Sequence, residues 1–382
     1  MEKNRAASIP NSPIGYGILL SLITFLALLL AAEIAFRFTP VCDSVYSTTT
    51  TAADTVYRCR PNREVFLSAF WNFAMQNKVR VNNAGFVSDL AFDADDPRPL
   101  LAVVGDSYVE ALWVPWPESL AGRLHQALSP DYRVYAISKS GSPMSQYLVY
   151  AQFARDTYQP AALVVVIIDN DFDQSLPRYK HNPGFHQFVG DGSGNLRLVL
   201  TPYQPGWGLR LARHSALGRY LTINLGVQHT HHRIGFFLNP ESYYRDPSAA
   251  GNKAKIRDCK PVVDTFLKRL PKAAGLPPEK ILLVMDGMRP DLYDDQRLAQ
   301  TGETFTGVMR DYFMNAAAGA GFEVLDMQGI FAGHFRENGQ RFEFPRDPHW
   351  NSLGHDVVAK AVLSSPFIST LRQRLSHSCP ER

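Results

Sequence analysis

A chain of 382 residues, 45% hydrophobic and 20% charged, has ordinary globular composition and is long enough for one large domain with additions, or for two. A net charge of +3, with no basic stripe interleaved with aromatics, argues against a nucleic-acid binder. There is no low-complexity tract and no internal repeat.

Residues 1–12, "MEKNRAASIPNS", are short and polar, with Lys3 and Arg5. The run from Pro13 to Phe36 is apolar apart from Glu33 near its far end. Its uncharged part, roughly 20 residues, is long enough to cross a hydrocarbon core as a helix. A cleaved signal peptide is the rival reading, but its apolar region is usually roughly 7–15 residues and ends in a small-residue site. Here Glu33 interrupts Ala31, Ala32 and Ala35. The preferred reading is an uncleaved anchor over 13–36. Lys3 and Arg5 before it place residues 1–12 in the cytoplasm and the bulk of the chain outside, as in a bacterial inner-membrane protein facing the periplasm. Residues 37–61 read as a juxtamembrane stalk, because "STTTTAADT" is small, polar and without apolar period. The globular domain is expected over 62–382.

In that domain short apolar runs alternate with helical patterns. "LLAVVG" (Leu100–Gly105) reads as a buried strand, and "ESLAGRLHQAL" as a helix with Leu120, Leu124 and Leu128 on one face. "RVYAIS" (Arg133–Ser138) is a second strand. "SPMSQYLVYAQFARDT" is a helix with Ser142 as N-cap and Pro143 in its first position. "ALVVVIID" (Ala162–Asp169) is continuously apolar, as a strand covered on both faces should be. From 175 to 260 the alternation fails. A hairpin is expected around "GDGSGN", then a helix over "WGLRLARHSALGRYLTINL", and the whole reads as an insertion or lid. "KILLVMDG" and "FEVLDM" are further strands, and "SLGHDVVAKAVLSS" is a closing helix. This order implies an α/β fold with a parallel sheet and helices on both faces.

The four cysteines, Cys42, Cys59, Cys259 and Cys379, form no C-x-x-C pair. In an exported chain an even number permits disulfides, Cys42–Cys59 and Cys259–Cys379 for instance, while other pairings or a reduced set stay open. "QHTHHR" places His229, His231 and His232 together. A solvated loop is the expected reading, and a metal site the alternative.

Ligands of an open parallel sheet bind outside the carboxyl ends of its strands. The polar residues there are Asp106 and Ser107 after the first strand, Ser140 and Gly141 after the second, and Asp169, Asn170 and Asp171 after the third. Asp347 and His349 precede the closing helix. Taken singly, each is explained by a helix cap or a turn. Together they supply a nucleophile (Ser107), a base (His349), an orienting acid (Asp347) and oxyanion donors in the Ser107 and Gly141 N–H groups and the Asn170 amide. Asp106, Asp171, Arg289 and Trp350 could touch substrate, and Trp113, Trp116 and Trp207 could offer stacking faces. No metal or cofactor is required.

These stretches resemble the SGNH (GDSL-type) serine hydrolases over roughly 81–363. "GDSY" matches the first block, with Ser107 as nucleophile. "SKSGSPMSQ" matches the second, whose glycine is Gly141, and "IDNDF" the third, with Ile168 where the family has glycine. "DPHWNSLGH" resembles the last block, although Asp347 stands two residues before His349 where the family usually has three. A dyad without the acid, or a different acid such as Asp326 or Asp171, is the alternative. D-x-H-W and "VRVNNAGFVSD" look similar to membrane-anchored bacterial members linked to polysaccharide O-acetylation. The resemblance implies a flavodoxin-like three-layer α/β/α sandwich. It also implies a serine esterase or O-acetyltransferase acting on acylated carbohydrate through an acyl-enzyme. A transferase would further need a multi-spanning membrane partner to deliver acyl groups. A non-catalytic assembly subunit, or a lipase or thioesterase, is the alternative function.

Overall fold

The computed structural model describes residues 13–43, 45–51, 54–192, 194–226, 253–289 and 291–378. Helix α1 (Pro13–Arg37) has no buried residue and, among the described residues, is the one helix long and apolar enough to cross a membrane. An antiparallel hairpin follows, β1 (Arg63–Ala69) with β2 (Met75–Val81).

The centre is a five-stranded parallel sheet: β3 (Leu100–Gly105), β4 (Arg133–Ser138), β5 (Ala162–Ile167), β8 (Ile281–Met285) and β9 (Glu323–Asp326). Its spatial order is β4-β3-β5-β8-β9, the flavodoxin-like order of a doubly wound sheet. The continuous apolar runs have a plain cause. Leu100, Ala102 and Val104 of β3 enter one core and Leu101 and Val103 the other, so both faces of each strand are covered. Helix α4 (Met144–Tyr158) and the Lys253–Ala274 and Phe305–Gly319 helices cover one face. Helix α3 (Leu120–Leu128) and the Met327–Asn338 and Ser352–Leu363 helices cover the other. The result is the expected three-layer sandwich.

Several expectations need correction. The 37–61 segment is not free-standing: Val41, Cys42, Thr50, Tyr57 and Cys59 are buried. Its backbone bonds to the domain, Asp43 N–H to Phe66 O (2.8 Å) and Cys59 N–H to Gly85 O (2.9 Å). Apolar residues flanking the threonine run supply the contact. Cys59 is a buried free thiol, so the Cys42–Cys59 bridge is not formed. Cys259 is also a buried thiol, and Cys379 lies outside the described residues, as do His229, His231 and His232. Ser142 does not cap α4. Pro143 holds that position, and the Ser142 hydroxyl donates to Lys139 O (2.6 Å).

In the insertion, the hairpin forms as β6 (His186–Gly190) with β7 (Leu196–Leu200). The expected long helix is instead broken into α6 (Trp207–Ala212), α7 (Ala216–Arg219) and a π turn over Tyr220–Asn224. The insertion also ends earlier than 260, because Lys253–Ala274 is a 22-residue helix that carries Cys259 and Val262 into the core. Pro261 and Pro271 within it mask its helical pattern in the sequence.

Candidate active site

Ser107 is the first residue of a short helix, α2 (Ser107–Glu110), entered directly from β3. A Cβ on Gly105 would lie 2.4 Å from Val109 Cγ2, so only glycine lets the strand fold over this tightly. Asp106 caps α2, accepting from the Tyr108 N–H (2.9 Å) and from the Ser107 hydroxyl (3.2 Å). It is 2% exposed, and burial raises its carboxyl above the ordinary range. Asp106 is therefore a buried positioning group, not the substrate contact expected of it.

His349 comes from a two-strand element, β10 (Glu343–Phe344) paired with β11 (Asp347–Trp350). Asp347 Oδ1 accepts from the His349 backbone N–H at 3.0 Å and lies 2.5 Å from His349 Nδ1. The short spacing is thus no obstacle: one carboxylate oxygen bends back over Pro348 and meets both groups. Burial alone would lower the imidazole, but the Asp347 hydrogen bond and charge outweigh it and hold His349 above its ordinary value. The alternative acids are occupied elsewhere. Asp326 pairs with Arg310 and caps the Met327–Asn338 helix. Asp171 is fully buried, accepting from Tyr147 OH (2.8 Å) and the Ile168 N–H (2.8 Å), so it is neither the acid nor a substrate contact.

The loop carrying His349 is gripped on both sides. Pro348 O accepts from Tyr108 OH (2.9 Å) and Arg289 Nη1 (2.8 Å). Arg289 pairs with Asp286 at 2.5 Å, and Asp286 accepts from Trp350 Nε1 at 3.0 Å. Arg289 borders the cleft, but both its Nη atoms are engaged in this network, and its buried Nε has no hydrogen-bond partner. Trp350 is 1% exposed and packs edge-on against Tyr108, so it offers no face to a sugar. Sequence reasoning did not single out Tyr108. An aromatic beside the nucleophile carries no mark of a partner 240 positions away.

Ser107, Asp169, Asn170 and His349 line one open cleft of about 620 Å³ at the carboxyl ends of the strands. The Asn170 side chain makes no hydrogen bond among the described residues and is free to donate into this cleft. Asp169 is exposed to the cleft, and the protein crowded around it, with the Asp286 charge adding, pushes its carboxyl up to about 6. Gly141 has φ +82°, a Cβ there would meet Phe185 Cε2 at 3.9 Å, an ordinary contact, and its carbonyl accepts from Asn182 Nδ2 (2.7 Å). It does not border the cleft itself. Among the described residues no hydrogen bond joins Ser107 to His349. The two are neighbours through Tyr108, whose ring centre is 5.0 Å from that of the imidazole. The insertion supplies Tyr179 and Lys180 to the cleft rim, and Lys255 reaches Asp173 at 2.5 Å.

No protein-family model matches the chain, and no curated protein matches it. Solved structures that align with it include TesA, 14% identical over 70% of this chain and 99% of its own, with a TM-score of 0.37. A lipolytic protein of the G-D-S-L family from Veillonella parvula is 11% identical over 70% of this chain and 97% of its own, at 0.36. The acetyl xylan esterase AlAXEase is 12% identical over 69% and 98%, at 0.36.

Proposed function

We propose that the protein is a membrane-anchored serine ester hydrolase or O-acyltransferase of SGNH type, acting on an acylated carbohydrate. The observation that carries this reading is the Asp347–His349 pair, held at 2.5 Å and opening on the same cleft as Ser107 and Asn170. In the reaction the Ser107 hydroxyl exchanges its bond to Asp106 for one to His349, by rotation about its Cα–Cβ bond. Oγ then attacks the ester carbonyl, and its proton passes to the imidazole. The Ser107 N–H and the Asn170 amide, both at the cleft, receive the oxyanion. Collapse expels the alcohol, which takes the proton back. Water or a sugar hydroxyl then resolves the acyl-Ser107, giving its proton to His349 and restoring the serine. A sugar acceptor makes the protein a transferase and calls for a multi-spanning partner as acyl donor.

Carbohydrate is favoured over a long acyl chain because the cleft is set with Asp169, Asp173, Lys180 and Lys255. Turnover of a panel of acetyl, butyryl and long-chain esters checks this, and preference for long chains overturns it. One observation favours the second reading, a non-catalytic subunit: the Ser107 hydroxyl is bonded to Asp106. A serine-reactive fluorophosphonate separates the two. Labelling that disappears in Ser107→Ala supports the enzyme, and absence of labelling in the native chain supports the subunit.

A further inference from the structure

A second cleft, of about 810 Å³, lies where the insertion meets the β1–β2 hairpin. Arg60, Arg63, Arg210, Arg213 and Arg219 line it. The two carboxylates among them are weak counterions. Glu64 is held by Lys78 at 2.6 Å, and Asp43 reaches Arg219 only at 3.8 Å. Among the described residues no carboxylate pairs with Arg60, Arg63, Arg210 or Arg213. The guanidinium carbons of Arg63 and Arg213 each stand 4.9 Å from the centre of the Tyr46 ring, so one aromatic ring anchors both cations. Arg219 Nε is buried with no hydrogen-bond partner. Like charges gathered with so few carboxylates lower their free energy by taking an anion, and planar guanidinium forks match phosphate oxygens.

The cleft is fastened to the end of α1. Glu33 accepts from Ser215 Oγ (2.7 Å) and from the backbone N–H groups of Ala216 (3.1 Å) and Leu217 (3.0 Å). Phe36 stacks on Tyr220 at 4.1 Å, and Tyr220 OH donates to Trp71 O (3.0 Å). About 20 residues of α1, counted from Pro13, fill a hydrocarbon core. Glu33 and everything tied to it then lie at headgroup depth. The helix just before these residues, α6, leaves Trp207 and Leu211 exposed, 78% and 67%, one turn apart on one face, while Arg210 between them lines the cleft. Exposed aromatic and leucine side chains beside arginines are the pattern of an element that lies in a bilayer interface.

We propose that this cleft binds the phosphate of an anionic phospholipid headgroup, with Trp207 and Leu211 resting in the acyl boundary beside it. The proposal goes beyond the ester chemistry but rests on reading α1 as a retained anchor. Headgroup capture would hold the globular domain against the membrane surface instead of leaving it to swing on one helix.

The test is native mass spectrometry of the full chain, extracted from bilayers of equal phosphatidylglycerol and phosphatidylcholine. The variant is Arg60→Gln/Arg210→Gln, because both side chains are exposed and neither bonds within the described protein. The expected result is retained phosphatidylglycerol in roughly tenfold excess over phosphatidylcholine, lost in the double variant at unchanged Tm. Equal retention of the two lipids on an intact chain, or full retention by the variant, overturns the proposal alone. So does displacement of the lipid by millimolar inorganic phosphate or by an acidic oligosaccharide, which would make the site one for free anions or for glycans. A chain mass lacking α1 overturns the anchor reading and the headgroup placement with it, and the same spectrum distinguishes that case.

Discussion

The two clefts of this molecule treat charge in opposite ways. At the strand ends Arg289 is paired with Asp286, Lys255 with Asp173 and Arg310 with Asp326, and the imidazole of His349 has its carboxylate. At the cleft beside the β1–β2 hairpin four arginines have no carboxylate among the described residues. The first arrangement fixes side chains before substrate arrives, as a reaction with small geometric tolerance requires. The second leaves cations waiting for a counter-charge from outside. On the readings proposed above, the difference separates a site built to react from a surface built to be neutralised.

The contrast is broken most directly at the nucleophile. Ser107→Ala is expected to lower ester turnover by at least about 10³-fold with fold retained. Unchanged turnover would remove the strand-end cleft from catalysis altogether. Next comes the pre-paired scaffold. Arg289→Ala leaves Asp286 buried without its cation and releases one grip on Pro348, so a loss of about 3–5 kcal/mol in thermal or denaturant unfolding is expected. Little change would mean that pairing there is incidental. Asp347→Asn keeps the shape of the loop but removes the charge that orients His349. It is expected to lower kcat by roughly 10²–10⁴-fold, and to shift the acid limb of the pH–rate profile to lower pH.

The smallest effect is the position of that limb in the native chain. His349 must be neutral to accept a proton, and its value is raised, so activity is expected to fall already at a pH above 6.5 as acid is added. The sign for stability is the reverse. The protonated pair adds stability that is complete below the ordinary imidazole value and is lost as pH rises through the raised one. A limb below 6.5 would show that Asp347 does not govern the base.

The sheet was legible because its strands are covered on both faces, which leaves uninterrupted runs such as "ALVVVI". The helices that misled are those whose signal is local and weak. Pro261 and Pro271 hid a long core helix, and the broken insertion helix reads as continuous because its period survives each interruption. In the candidate site, the convergence of Ser107, Asn170 and His349 on one cleft, with Asp347 beside His349, could be anticipated because these residues stand directly at strand ends or before a helix. The network of Tyr108, Arg289, Asp286 and Trp350 could not. Each of its bonds spans a separation on which periodicity and capping rules are silent, 240 positions for Tyr108 to Pro348 and 64 for Trp350 to Asp286. The 37–61 segment misled for a related reason: its burial depends on a hairpin that forms later in the chain.

Asp347, Pro348 and His349 have a kinetic consequence. Acid and base are joined through a single intervening residue whose ring restricts the backbone, so their meeting closes almost no loop. The pair can assemble as soon as that tripeptide leaves the ribosome. The nucleophile, more than two hundred residues earlier, must wait for the whole sheet to close before it meets them. In the proposed esterase the nucleophile therefore meets its base only across a long-range contact, Tyr108 OH to the Pro348 carbonyl, which joins residues 240 positions apart.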